Sequence, residues 1–203
     1  MDRTFYELRE ILSRPGCPIC KLERETERRY FDTLFYELVN DYRTRAQILE
    51  GGGFCPAHTA TIFEERNSVL GIAIIYRDLL AHFSEQNTSP RCPLCEILKE
   101  KEQHLLSTIR KRWVELKSHW GERTFFCKWH LEGMGRDEKC FPEIADLTRQ
   151  SLNTIQEDLS RFIEKFDYRK AHLPLRKEEE ICWQEALEFF AGKMLKKKGR
   201  QDL

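Results

Sequence analysis

The sequence predicts an all-α protein built from a duplicated metal-binding helical unit and a C-terminal helix. Apolar residues recur at helical spacing along most of the chain, no window alternates strictly as a strand does, and one order of cysteine and histidine pairs occurs twice.

The elements follow in order. Thr4 and Glu7 have the spacing of a capping box for a short first helix that stops before Pro15-Gly16. Between Leu22 and Val39 the apolar residues Phe31, Leu34, Phe35 and Leu38 form an i, i+3, i+4, i+7 stripe. Asn40-Asp41 can stop that helix and cap the next, and Gly51-Gly52-Gly53 offers a flexible return. Ile97, Leu105, Ile109, Trp113 and Leu116 make a second stripe. Ile144, Leu147, Ile155, Leu159, Phe162 and Phe166 make a third, entered through Pro142. After Pro174 a final helix carries Glu178, Glu179 and Glu180 at its start and Lys193 and Lys196 at its end, both favourable to the helix dipole. Its seam of Trp183, Leu187, Phe190 and Met194 is expected to cap the core. The divisions expected are 1–88 and 89–170, one helical unit each, and 171–203, the last helix and a basic tail, together one globule.

The repeated pattern is C-x2-C-x34-C-x2-H followed by C-x2-C-x31-C-x2-H: Cys17, Cys20, Cys55 and His58, then Cys92, Cys95, Cys127 and His130. Agreement in ligand order and inner spacing points to a duplicated unit of roughly 75 residues. A Cys-x2-Cys turn brings two sulfurs to one ion, and a Cys-x2-His pair in a first helical turn shares one face. Pro18, Pro56 and Pro93 after the leading cysteines favour an immediate helix start, where the dipole supports a thiolate. The Asn-Asp break and the triple glycine favour closure within each repeat, as two Cys3His sites. Two other arrangements satisfy the same spacings: up-and-down helices that collect the CPxC pairs at one end and the Cys-x2-His pairs at the other, or repeats that trade halves to give two mixed Cys3His sites.

Four protein ligands make a closed tetrahedral site, so two structural Zn²⁺ ions are expected, with an iron–sulfur cluster as the alternative. A thiol redox protein is a further alternative, although a redox CPxC needs a preceding strand and residues 4–13 read as helix. Cys140 and Cys182 have no partner at metal spacing; the first is expected as an unpaired thiol, the second as a half-buried small hydrophobe.

Composition narrows the class. Lys plus Arg and Asp plus Glu both total 34, and the basic run Lys196, Lys197, Lys198 and Arg200 reads as a solvated tail; a nucleic-acid-associated adaptor is therefore a lesser alternative. The N-terminus has no apolar h-region, and the stretch from Val69 to Tyr76 is too short to span a membrane, which implies a cytoplasmic protein with reduced cysteines. His82, His104, His119 and His172 are scattered, without Glu-x2-His or His-Glu-x2-His, and Gly51–Gly53 lacks the Lys-Ser/Thr of a phosphate loop. No catalytic residue is assigned. The expected role is binding or scaffolding, with protein partners.

The motifs resemble those of a family of small bacterial and archaeal proteins of uncharacterised function. That family carries a CPxC, about 35 residues, a Gly-Phe-Cys-x2-His, a second looser copy, and a terminal helix like "WQEALEFFAGK". The matching residues are Cys17, Cys20, Gly53, Phe54, Cys55 and His58, then Cys92, Cys95, Cys127 and His130, and Trp183 to Gly192. The second copy departs with "FFC" in place of Gly-Phe-Cys. The resemblance implies the architecture and no activity.

Overall fold

A computed structural model describes residues 2–65, 68–83, 91–136, 138–167, 169 and 173–192. The basic run at 196–200 and Met194 lie outside them. The described chain forms nine α-helices and no strand: α1 (Arg3–Ile11), α2 (Pro18–Thr33), α3 (Tyr42–Glu50), α4 (Pro56–Glu65), α5 (Val69–Ala81), α6 (Pro93–Leu116), α7 (Lys128–Met134), α8 (Phe141–Lys165) and α9 (Lys177–Ala191). A π-helical turn, Leu34–Leu38, continues α2.

Local chemistry sets the helix ends. Asp41 caps α3, its carboxylate accepting from the Thr44 N–H at 2.8 Å, as the Asn-Asp break suggests. Proline opens α2, α4 and α6. The first helix is capped differently from the expected box: Asp2 accepts from the Phe5 N–H, Thr4 is buried, and Glu7 bonds Arg3. Two residues upstream, a carboxylate is a stronger cap than a threonine hydroxyl, because it meets the positive helix end with a full charge.

The compact units do not follow the expected division at 88/89. One comprises Met1–Leu22 with His104–Leu203, the other Glu23–Gln103, and the boundaries fall inside α2 and α6. In the first unit, Leu8, Leu12, Ile19, Leu105, Ile109 and Phe126 form the centre of the core, and α8 packs along α9. In the second, Phe31 stacks on Phe35 and meets Phe54 edge-on, with Ile48, Ile75 and Leu94 closing the cluster.

In the second unit α5 lies directly on the π-helical turn. A Cβ on Gly71 would come within 2.6 Å of the Phe35 carbonyl oxygen, which is backbone and cannot turn aside. Gly71→Ala is therefore expected to destabilise this unit by about 1–2 kcal/mol, overpacking outweighing alanine's helix preference of about 1 kcal/mol. A urea melt in which the variant gains stability would refute the close approach.

The seam expected to cap the core is the outer side of α9. Trp183, Leu187 and Phe190 are 44%, 48% and 66% exposed, while Glu179, Cys182, Glu185 and Glu188 face inward. Glu179 and Glu185 can point there because cations await them. Arg123 bonds both Asp158 (2.5 Å) and Glu185, and Lys165 (2.5 Å) and Arg176 (3.0 Å) hold Glu179. Hydrogen bonding from the Arg176 backbone N–H, then from Lys165, pulls the Glu179 carboxyl down to about 2.

Candidate metal centres

All four leading cysteines occupy the same local position. The carbonyls of Cys17, Cys55, Cys92 and Cys127 each accept the first helical N–H, from Lys21, Thr59, Glu96 and Leu131 respectively. Each thiol thus sits at a helix N-terminus, and its partner three residues later lies on the same side of the first turn.

The eight residues gather into two groups of four whose ligand atoms all lie within 4.8 Å of one another, and each could hold a metal ion. One group is Cys17, Cys20, Cys127 and His130, inside the first unit. The other is Cys55, His58, Cys92 and Cys95, inside the second. Closure within each repeat is therefore overturned; the halves are traded. The first Cys-x2-His meets the second CPxC, and the second Cys-x2-His meets the first.

The two groups are built alike. The residue before each CPxC donates its N–H to the carbonyl four residues before the partner Cys-x2-His: Gly16 to Arg123 at 2.9 Å, and Arg91 to Gly51 at 2.7 Å. Gly16, at φ +95°, thereby pairs with Thr124, whose hydroxyl bonds the Leu12 carbonyl at 2.7 Å. These backbone bonds join the two knuckles before any metal does.

Distances test the fit to an ion. A tetrahedral ion with bonds of about 2.3 Å to sulfur and about 2.0 Å to nitrogen sets S···S near roughly 3.8 Å and S···N near roughly 3.5 Å. In the first group Cys20 Sγ and Cys127 Sγ are 3.6 Å apart, and His130 Nδ1 lies 3.4, 3.3 and 3.1 Å from Cys17, Cys20 and Cys127. In the second, Cys95 Sγ and Cys55 Sγ are 3.6 Å apart, and His58 Nδ1 is 3.2, 3.3 and 3.5 Å from Cys55, Cys92 and Cys95. Nδ1 faces the sulfurs in both. His58 Nε2 then points away, 3.7 Å from Glu27 Oε1, the carboxylate–imidazole relation that orients a ligating histidine.

Protons are shared unevenly within each cluster. Hydrogen bonds from Cys17 and Cys20 hold the Cys127 thiol far below its ordinary range, while those to Cys127 and Cys17, with burial, push Cys20 far up. Burial opposes a charged His130, yet the Cys127 and Cys17 sulfurs lift it to about 11. In the second cluster burial is outweighed at Cys55 by the His58 N–H and by Cys95, lowering it, and burial with Cys55 pushes Cys95 up to about 12. A cation bound at either cluster would displace the protons its thiols carry.

Cover separates the two. Cys17, Cys20, Cys127 and His130 are all buried, whereas Cys95 is exposed and Cys55 half-buried. The end of α9 seals the first group: a Cβ on Gly192 (φ +56°) would lie 3.0 Å from Cys127 Sγ and 3.7 Å from Cys20 Sγ. Gly192 and Glu27 were not among the predicted site residues. Only the Gly in the terminal "FFAGK" hinted at the first. Cys140 and Cys182 stand outside both groups; burial raises both thiols, and Cys182, fully buried, bonds the Glu179 carbonyl.

Fold and site together define an all-helical protein with two compact Cys3His clusters. The chain belongs to a family of unknown function, DUF6062, whose model matches twice, over residues 8–90 and 86–197. It is similar to an uncharacterized 23.9 kDa protein from the xynA 3′ region of Caldicellulosiruptor sp. (strain Rt8B.4), 31% identical over 195 residues, which span 87% of this chain and 95% of that protein. No solved structure matches. Among the described residues no helix is long and apolar enough to cross a membrane.

Proposed function

We propose that each Cys3His cluster holds one Zn²⁺ as a structural staple, and that the stapled helices serve as a protein-interaction or scaffold module. The observation that carries this is the completeness of each donor set: four protein donors, the number a closed tetrahedral site takes, converge within 4.8 Å. The 3.6 Å sulfur separations suit a single ion; a multi-iron cluster spreads its thiolates over several metals and usually takes four cysteines. The trade of halves fits a duplicated unit whose two copies complete each other's sites.

Elemental analysis of anaerobically purified protein is expected to give two zinc per chain in a colourless preparation. Under a competing chelator, one equivalent should leave quickly and the other slowly, because one cluster is exposed at Cys95 and the other lies beneath Gly192. Cys95→Ser should abolish the fast equivalent and spare the slow one. Metal-free protein with unchanged helicity by circular dichroism would end the proposal, as would a full complement of iron.

A further inference from the structure

The outer side of α5 is apolar where a surface helix is ordinarily polar. Val69, Leu70 and Leu80 are 70%, 73% and 75% exposed, and Ala73 and Ala81 are exposed beside them. At 100° per residue these five and Arg77 fall within an arc of about 120°. The opposite side carries Gly71 and Ile75 into the core of the unit. The helix is thus apolar on both sides, as a helix buried between two layers is.

We propose that this face is the interface of a symmetric homodimer, in which α5 packs antiparallel on α5 of a second copy. Self-complementarity argues for a second copy over another partner. With the dyad at the level of Ile75, Leu70 of one chain stands opposite Leu80 of the other, Val69 opposite Ala81, and Ala73 opposite Arg77. Two of the three pairs set a large side chain over an alanine, and the dyad repeats each of them. Arg77 does not oppose this. Its guanidinium is bonded to Asp78 at 3.1 and 3.3 Å, a carboxylate it shares with Arg45, and its stem can lie across Ala73 of the copy.

The face exposes on the order of 500 Å², near the top of the range for the largest apolar patch on a monomer. A membrane surface is a poorer occupant. A helix lying on anionic lipid carries a lysine- and arginine-rich polar side, whereas Arg77 is the one basic residue of α5 and its far side is core.

This inference does not rest on the metal assignment, and its test is separable from it. The full chain, with whatever metal it carries from anaerobic purification, is examined by light scattering on a size-exclusion column across a concentration series. A dimer is expected. Leu70→Glu and Leu80→Glu, both at highly exposed positions, should keep their helicity and metal content and weaken association by about 100-fold or more, since each change counts twice across the dyad. Combining Leu70→Glu with Leu80→Lys places opposite charges across the proposed register and should restore much of the association. A monomeric wild-type chain overturns the proposal, as does a dimer indifferent to the single variants, or a charge pair that fails to rescue. Co-sedimentation of a monomeric wild-type chain with phosphatidylcholine–phosphatidylglycerol vesicles would assign the face to lipid and equally overturn it.

Discussion

Cys127→Ala is expected to release one zinc per chain and to abolish cooperative unfolding of the unit formed by Met1–Leu22 and His104–Leu203. Cys127 is fully buried, begins α7, and lies with Cys17 and Cys20 inside the hydrophobic core of that unit. Its loss leaves three donors in a cavity that water cannot easily complete, because Gly192 packs against the sulfurs. Structural zinc supplies roughly 10–16 kcal/mol of apparent binding free energy in zinc-finger peptides, as much as the whole stability of an ordinary domain. Hydrogen exchange resolved along the chain should therefore show loss of protection in α1, α7, α8 and α9. The same substitution at Cys182 removes a buried thiol of similar size and no ligand, so two zinc ions should remain and the cost should stay near 1 kcal/mol. A Cys127→Ala protein that keeps two zinc ions and melts like wild type would refute the assignment.

The difference between these two cysteines is one the chain announces. Spacing separates Cys127, three residues before His130, from Cys182, which has no such neighbour, and it separates them because ligand geometry within one helical turn is local. The helix starts at Pro18, Pro56 and Pro93 and the cap at Asp41 are legible for the same reason. What is not legible depends on distance along the chain. Which CPxC meets which Cys-x2-His is decided by contacts far apart along the chain, such as the backbone bonds from Gly16 to Arg123 and from Arg91 to Gly51, and backbone groups carry no mark of their partners in the sequence. The inward face of α9 is hidden in the same way. Periodicity ranks Trp183, Leu187 and Phe190 as the buried stripe; the structure instead buries Glu179, Glu185 and Glu188, and Glu185 meets a cation 62 residues earlier in a loop. A hydrophobic pattern weighs each side chain alone, and a buried carboxylate is stable only as half of a pair.

That pair makes the second large effect. Arg123→Met is expected to destabilise the first unit by about 3–5 kcal/mol, because one guanidinium serves two carboxylates that are themselves 5% and 4% exposed, Asp158 and Glu185. Burial alone would raise the Asp158 carboxyl; bonds from Arg161 and Arg123 more than reverse this. Arg161 remains for Asp158 in the variant, at 2.6 Å, so the charge left uncompensated is chiefly that of Glu185, which Arg123 holds through both Nε and Nη2. Lysine at this position has no fork to span both partners and should recover little. If the cost is the stranded charge, removing that charge should return part of it: Arg123→Met combined with Glu185→Leu should be more stable than Arg123→Met alone by at least about 1 kcal/mol. Urea denaturation in zinc-replete buffer at neutral pH compares these proteins with wild type and with Glu185→Leu alone. The metal count should not change, since Arg123 supports the Cys3His knuckle through its backbone carbonyl, which accepts from Gly16 whatever the side chain. Losses that simply add would show that the triad acts through packing, and that the charge of Arg123 is not what permits carboxylates on the inner face of α9.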